Sequence, residues 1–179
     1  IGPKITLSCD CLGISGGWTP AVHLFTQSGG KLKYKEEGDF FIPNTYPSDQ
    51  LSIGACNGDL FLDEILNNIP LALKDFLKIN NTIYQNLEVI SLANKSKRNI
   101  WLLPSDKIIG KTKSFVDFQN DATAKDIKLA LREGFRSIEH VKRYTTTGMG
   151  TDQGKLGNMH ALGIISDTAN TKMGELGTT

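Results

Sequence analysis

Thiols are scarce in this chain: 179 residues hold only Cys9, Cys11 and Cys56. A small, odd number fits reduced thiols in a cytosol better than a disulfide framework. Neither sign of charge is in excess, with a formal net charge of +1. No strong field therefore points to nucleic acid or an anionic membrane. Every apolar run falls well short of the roughly 20 residues that span a bilayer. No charged-then-apolar leader precedes a cleavage site, so secretion is not expected. These absences imply a cytoplasmic protein with no nucleic-acid or membrane partner. The length allows one domain or two small ones with enough core to fold.

Metal ligands are equally sparse. Cys9-Asp10-Cys11 supplies two thiols, which do not complete a tetrahedral site. Residues i and i+2 of a strand share a face, and Cys packs as a small apolar residue. His23, His140 and His160 are scattered without ligand spacing and read as structural or surface. No metal site is expected. Both ends look cut, beginning Ile1-Gly2-Pro3-Lys4 and closing Glu175-Leu176-Gly177-Thr178-Thr179, so a longer polypeptide is expected.

What is present reads as α+β. Residues 5–8 and 11–15 look like strands, the second ending at Gly16-Gly17. Thr19 can cap a short helix with Pro20 at its first position, stopped by Gly29-Gly30. Lys31 to Lys35 and Phe40 to Ile42 form a hairpin pattern around Glu36-Glu37-Gly38-Asp39. Leu51-Ser52-Ile53 reads as a short buried strand running into Gly54. A helix follows from Leu60 to about Leu77, with Leu62, Ile65, Leu66 and Ile69 on its apolar face. Pro70 either kinks it or starts another.

Residues 80–113 are rich in Asn, Lys and Ser and read as a partly extended connection holding a domain boundary. Its strand-like pieces are 87–90 and 100–103. Thr123-x-x-Asp126 resembles a capping box. Ile127, Ala130 and Leu131 face inward, and Gly134 stops that helix. Ser137 caps the next, placing Ile138 and Val141 inward and ending near Tyr144. A third helix is expected from about Gln153 past Ile165. Trp18 reads as core more than as a stacking residue. Arg132-Glu133 and Lys142-Arg143 read as a solvated helix face. Asp117, Asp121 and Asp152 read as caps or turn residues.

Two blocks carry a family resemblance. Residues 116–127 read V-D-F-Q-N-D-A-T-A-K-D-I, and residues 133–158 read E-G-F-R-S-I-E-H-V-K-R-Y-T-T-T-G-M-G-T-D-Q-G-K-L-G-N. This resembles the small helical [2Fe-2S] module of the bacterioferritin-associated-ferredoxin type. That module has a C-x-C pair before a Thr-led helix start and a second pair in a G-x-G-x-C-Q-G-x-x-C turn. Its four cysteine positions fall here on Asp117, Gln119, Asp152 and Gly157. Such clusters are held by Cys thiolates. The resemblance therefore implies a scaffold kept for packing and contacts, with no iron–sulfur cluster.

The other block is C-D-C-L-G-I-S-G-G-W-T-P at 9–20 with L-S-I-G-A-C-N-G at 51–58. It looks like the closing half of a dinucleotide-binding domain of the glutathione-reductase type. In this order the two blocks resemble the alpha subunit of heterotetrameric sarcosine oxidase. That implies residues 1–79 as the C-terminal part of an NAD-binding domain and 80–113 as a connection. Residues 114–170 would be an all-helical domain, and 171–179 the start of a linker to a folate-binding aminomethyltransferase-like domain.

The resemblance implies NAD contacts from Gly16, Gly17, Trp18, Thr19, Gly54, Ala55, Asn57 and Gly58, and no catalytic residue in this stretch. FAD and FMN belong to the beta subunit, tetrahydrofolate to the further domain, and the partners are the beta, gamma and delta subunits. The implied reaction converts sarcosine, water and oxygen to glycine, hydrogen peroxide and formaldehyde or methylenetetrahydrofolate. The chain departs from the pattern twice. The first dinucleotide strand with its G-x-G-x-x-G turn is absent, and that turn holds the pyrophosphate. The Gly-Asp pair of flavin relatives is Gly54-Ala55 here, which favours a nicotinamide nucleotide over a flavin. The alternative reading is a non-catalytic helical interaction module fused to a vestigial nucleotide-binding half.

Overall fold

The computed structural model describes residues 5–13, 16–47, 49–78, 99–103 and 111–178. Its elements are helix α1 (His23–Gln27), strands β1 (Lys31–Lys35) and β2 (Phe40–Thr45), a 3₁₀ turn (Gly54–Asn57) and helix α2 (Leu62–Leu77). After these come β3 (Phe115–Asp117), β4 (Ala122–Thr123), α3 (Ala124–Arg132), α4 (Ile138–Thr145), α5 (Asn158–Ala169) and a second 3₁₀ turn (Met173–Glu175). Among the described residues the architecture is mixed α+β with two separate two-stranded antiparallel sheets. No helix among the described residues is long and apolar enough to cross a membrane.

The hairpin forms as its alternation requires. Lys35 pairs with Phe40, Tyr34 with Phe41 and Lys33 with Ile42, and the Tyr34 and Phe41 rings meet edge to face at 5.3 Å. Phe41 carries this hairpin into the main core, where it joins Ile127, Ala130 and Leu131 of α3, Ile138 and Val141 of α4, and Leu162, Ile164 and Ile165 of α5. Leu32, Tyr34, Trp101 and Leu102 pack against the same cluster. Hairpin and helices therefore share one apolar interior. Trp101 lies directly over Gly163 of α5, in space that a larger residue there would need.

The helical unit follows its local signals. At the start of α3 the Asp126 carboxylate accepts the Thr123 N–H at 2.9 Å and the Thr123 hydroxyl at 2.6 Å. Gly134, at φ +99°, ends α3 where its N–H reaches the Leu131 carbonyl. The Ser137 hydroxyl accepts the His140 N–H at 3.3 Å.

Several expectations need correction. Residues 5–13 carry no strand, and Cys9 and Cys11 are exposed. Residues 51–53 likewise lack a strand. A strand needs a partner for its backbone groups, and no described segment supplies one there. Helix α1 starts at His23, four residues after Thr19, with Val22 as its cap. Pro70 sits inside a continuous α2. No residue of α2 is fully buried; Ile65, Leu66 and Ile69 of its expected apolar face are half-buried, with Ile65 beside Gly54, whereas Leu62 is largely exposed. Residues 100–103 form no strand, while 87–90 lie outside the described residues. The domain expected to be all-helical also contains the β3–β4 pair. Helix α5 begins at Asn158 rather than near Gln153. The Asp152 carboxylate accepts the Gly154 and Leu156 N–H groups, which holds the preceding residues in turns.

Candidate functional site

Two of the four positions expected to match cluster ligands, Asp117 and Gln119, tie one hydrogen-bonded knot, while Asp152 holds the turn that follows it. Asp117 closes β3 and is 7% exposed. Its Oδ1 accepts the Gln119 N–H at 2.9 Å and the Asn120 N–H at 3.0 Å, the local turn that Asp chemistry favours. Its Oδ2 accepts Asn120 Nδ2 at 3.2 Å and, from 31 residues away, the Gly148 N–H at 2.8 Å. Asn120 Nδ2 also reaches the Thr146 carbonyl at 3.1 Å. Gln119 Oε1 accepts the Thr151 N–H, next to Asp152. At the fourth position, a Cβ on Gly157 would lie 2.6 Å from the Val116 carbonyl oxygen, so the backbone itself occupies the space of a side chain.

Burial pushes the Asp117 carboxyl up, but the hydrogen bonds from Gly148, Asn120 and Gln119 outweigh it and hold the group below the usual carboxylate range. Its oxygens are thus committed to backbone and amide N–H groups. Among the described residues no cluster of His, Cys, Asp or Glu could hold a metal ion. Chemically the knot can tie the 117–121 loop to the 146–151 loop. It offers neither a thiolate nor a free base.

The residues expected to contact nucleotide lie in two turns. Gly17 has φ +106°, and the nearest group to a Cβ there is Asn99 Oδ1 at 3.8 Å. Gly16 looks toward His160 Nε2, also at 3.8 Å. Trp18 is 83% exposed, which corrects its reading as core. In the other turn Gly54 is buried at φ +71° and leads the 3₁₀ segment containing Ala55 and Asn57. Gly58 closes it at φ +90°, and a Cβ there would meet Ile42 Cγ2 at 2.8 Å. The packing of this turn on β2 therefore requires glycine at 58, whereas a Cβ on Gly54 would find Ile65 no nearer than 3.7 Å.

Thr19 faces a cleft of about 110 Å³ between the 19–23 segment, the hairpin and the helical unit. Sequence reading missed this cleft, because Lys142 and Lys155 approach it only through the packing of α4 and α5. The other charged positions behave as surface: Arg143 pairs with Glu139 at 3.7 Å, with both side chains largely in solvent.

Taken together, the fold is a mixed α+β chain in which a three-helix unit, closed by a carboxylate knot, is sewn to a hairpin and a glycine-rich turn. Residues 111–179 match the family model described as the sarcosine oxidase A3 domain. The chain is 33% identical over 189 residues to sarcosine oxidase subunit alpha of Rhizobium meliloti (strain 1021), covering 99% of this chain and 18% of that protein. It is 31% identical over 186 residues to the subunit alpha of Corynebacterium sp. (strain P-1), covering 100% of this chain and 19% of that protein. Along nearly its whole length the chain is thus similar to sarcosine oxidase alpha subunits. It spans about a fifth of the length of these relatives.

Proposed function

We propose that this chain serves a sarcosine oxidase alpha subunit by nucleotide binding and subunit assembly, with no chemistry of its own. The observation that carries the reading is the likeness to sarcosine oxidase alpha subunits along nearly the whole chain. In this proposal residues 1–79 complete the NAD site through the turns at Gly16–Thr19 and Gly54–Gly58. The exposed Trp18 is available to stack on a ligand or to meet the rest of the subunit. The helical unit keeps the outline of the ferredoxin-type module, and its knot replaces a cluster. Beta, gamma and delta subunits are the partners, and the beta subunit carries FAD and FMN. A further domain handles tetrahydrofolate. The assembled complex turns sarcosine, water and oxygen into glycine, hydrogen peroxide and formaldehyde or methylenetetrahydrofolate.

Gly54→Ala in the assembled oxidase tests the nucleotide role. The added methyl has room, and its left-handed backbone costs on the order of 1 kcal/mol. The complex should therefore assemble but retain about tenfold less NAD, because backbone can no longer approach the ligand closely. The NAD released on denaturation gives the content directly. Unchanged content would reduce Gly54 to a turn residue. The 179-residue chain alone should show no NAD binding by calorimetry, since half of the site lies elsewhere.

A further inference from the structure

We propose that the cleft between the Thr19–His23 segment and the helical unit binds a small organic anion, through an anionic oxygen group carried on a compact apolar body. Its floor is apolar, made by Leu32 and Phe41 of the hairpin and Met159 and Leu162 of α5. Lys142 of α4 and Lys155 of the turn before α5 also line it. Among the described residues no Asp or Glu lines the cleft. Among the described residues neither lysine takes part in an ion pair, whereas the neighbouring Arg143 is paired with Glu139. Lys142 is half-buried and Lys155 exposed, so the two bring positive charge to the edge of a cleft whose lining holds no carboxylate. An anion there gains charge-assisted hydrogen bonds.

Size narrows the class. The volume of about 110 Å³ is below the cavity of about 150 Å³ that holds benzene. A dinucleotide is excluded, and a ligand with a handful of heavy atoms fits. The site shares Thr19 with the nucleotide proposal but does not depend on it, because the charge comes from α4 and the turn before α5.

The test is a titration of the full chain at constant ionic strength, followed by amide chemical shifts. Propionate, inorganic phosphate and the neutral propanamide are the probes. The proposal expects saturable binding of propionate or phosphate, with propanamide at least about tenfold weaker. Saturation by propionate alone assigns a carboxylate ligand; saturation by phosphate alone assigns a phosphate ligand. Lys142→Met with Lys155→Met should lose at least about tenfold in affinity with unchanged circular dichroism, and Lys142→Arg with Lys155→Arg should keep it. Absence of saturation, equal binding of propanamide, or full affinity in the methionine variant would each overturn the site.

Discussion

Asp117→Ala is expected to destabilise the chain by about 3 kcal/mol, because an ionised acceptor of several N–H groups is worth more than a neutral one. The substitution strands the Gly148 N–H, whose bond to Asp117 is buried, and frees the 146–151 loop from the turn at Gln119 and Asn120. Asp117→Asn should cost less, about 1–2 kcal/mol, since an amide oxygen can still accept. The pH dependence has a definite sign. The folded carboxyl lies below the usual range, so its contribution is complete above the unfolded value of about 3.9. It fades as pH falls through the lowered folded value. The gap between wild type and Asp117→Asn should therefore be constant from neutral pH to about pH 5 and close below about pH 4. Urea denaturation across that range measures it; a gap that widened in acid would contradict the assignment.

Gly157→Ala is expected to cost about 2–3 kcal/mol through overpacking alone. Gly157 has φ −95°, an ordinary conformation for any residue, so backbone strain plays no part. The penalty comes from the Val116 carbonyl oxygen, 2.6 Å from the new Cβ. The carbonyl is backbone and the Cβ is fixed by the backbone that carries it, so neither can rotate aside. Gly134→Ala is the control: it carries φ +99° with nothing near its Cβ and should cost only about 1 kcal/mol. Thermal unfolding of the two variants side by side gives the comparison. Equal losses would mean that the strand carrying Val116 yields easily. The same geometry shows why a cysteine does not fit at Gly157 without moving β3.

Local chemistry was legible and distant pairing was not. The hairpin, the Thr123–Asp126 cap, the stop at Gly134 and the inward faces of α3 and α4 each follow from residues within a few positions of one another. The strands expected at 5–8, 11–15 and 51–53 have no pairing partner among the described residues, and apolar alternation alone could not show that. Trp18 illustrates the same limit: its size favours burial, yet it is largely exposed. Asp117 was readable as a turn residue from Gln119 and Asn120 beside it. Its bond to Gly148 spans 31 residues and needed the packing of α4 against α3 to appear. The late start of α5 has a visible signal in hindsight, since Asp152 competes with helix by capturing the amides that follow it. The lysine-lined cleft had none, because its walls come from stretches far apart in sequence, from Thr19 to Thr178.

Iron and acid-labile sulfide analysis reaches the central claim most directly, since that claim is that a hydrogen-bonded knot stands where a cluster would be. The chain should be produced alongside iron–sulfur assembly machinery with iron in excess, then desalted and assayed. The account predicts neither iron nor sulfide in stoichiometric amount. Two iron and two sulfide per chain, the content of a [2Fe-2S] cluster, would contradict it.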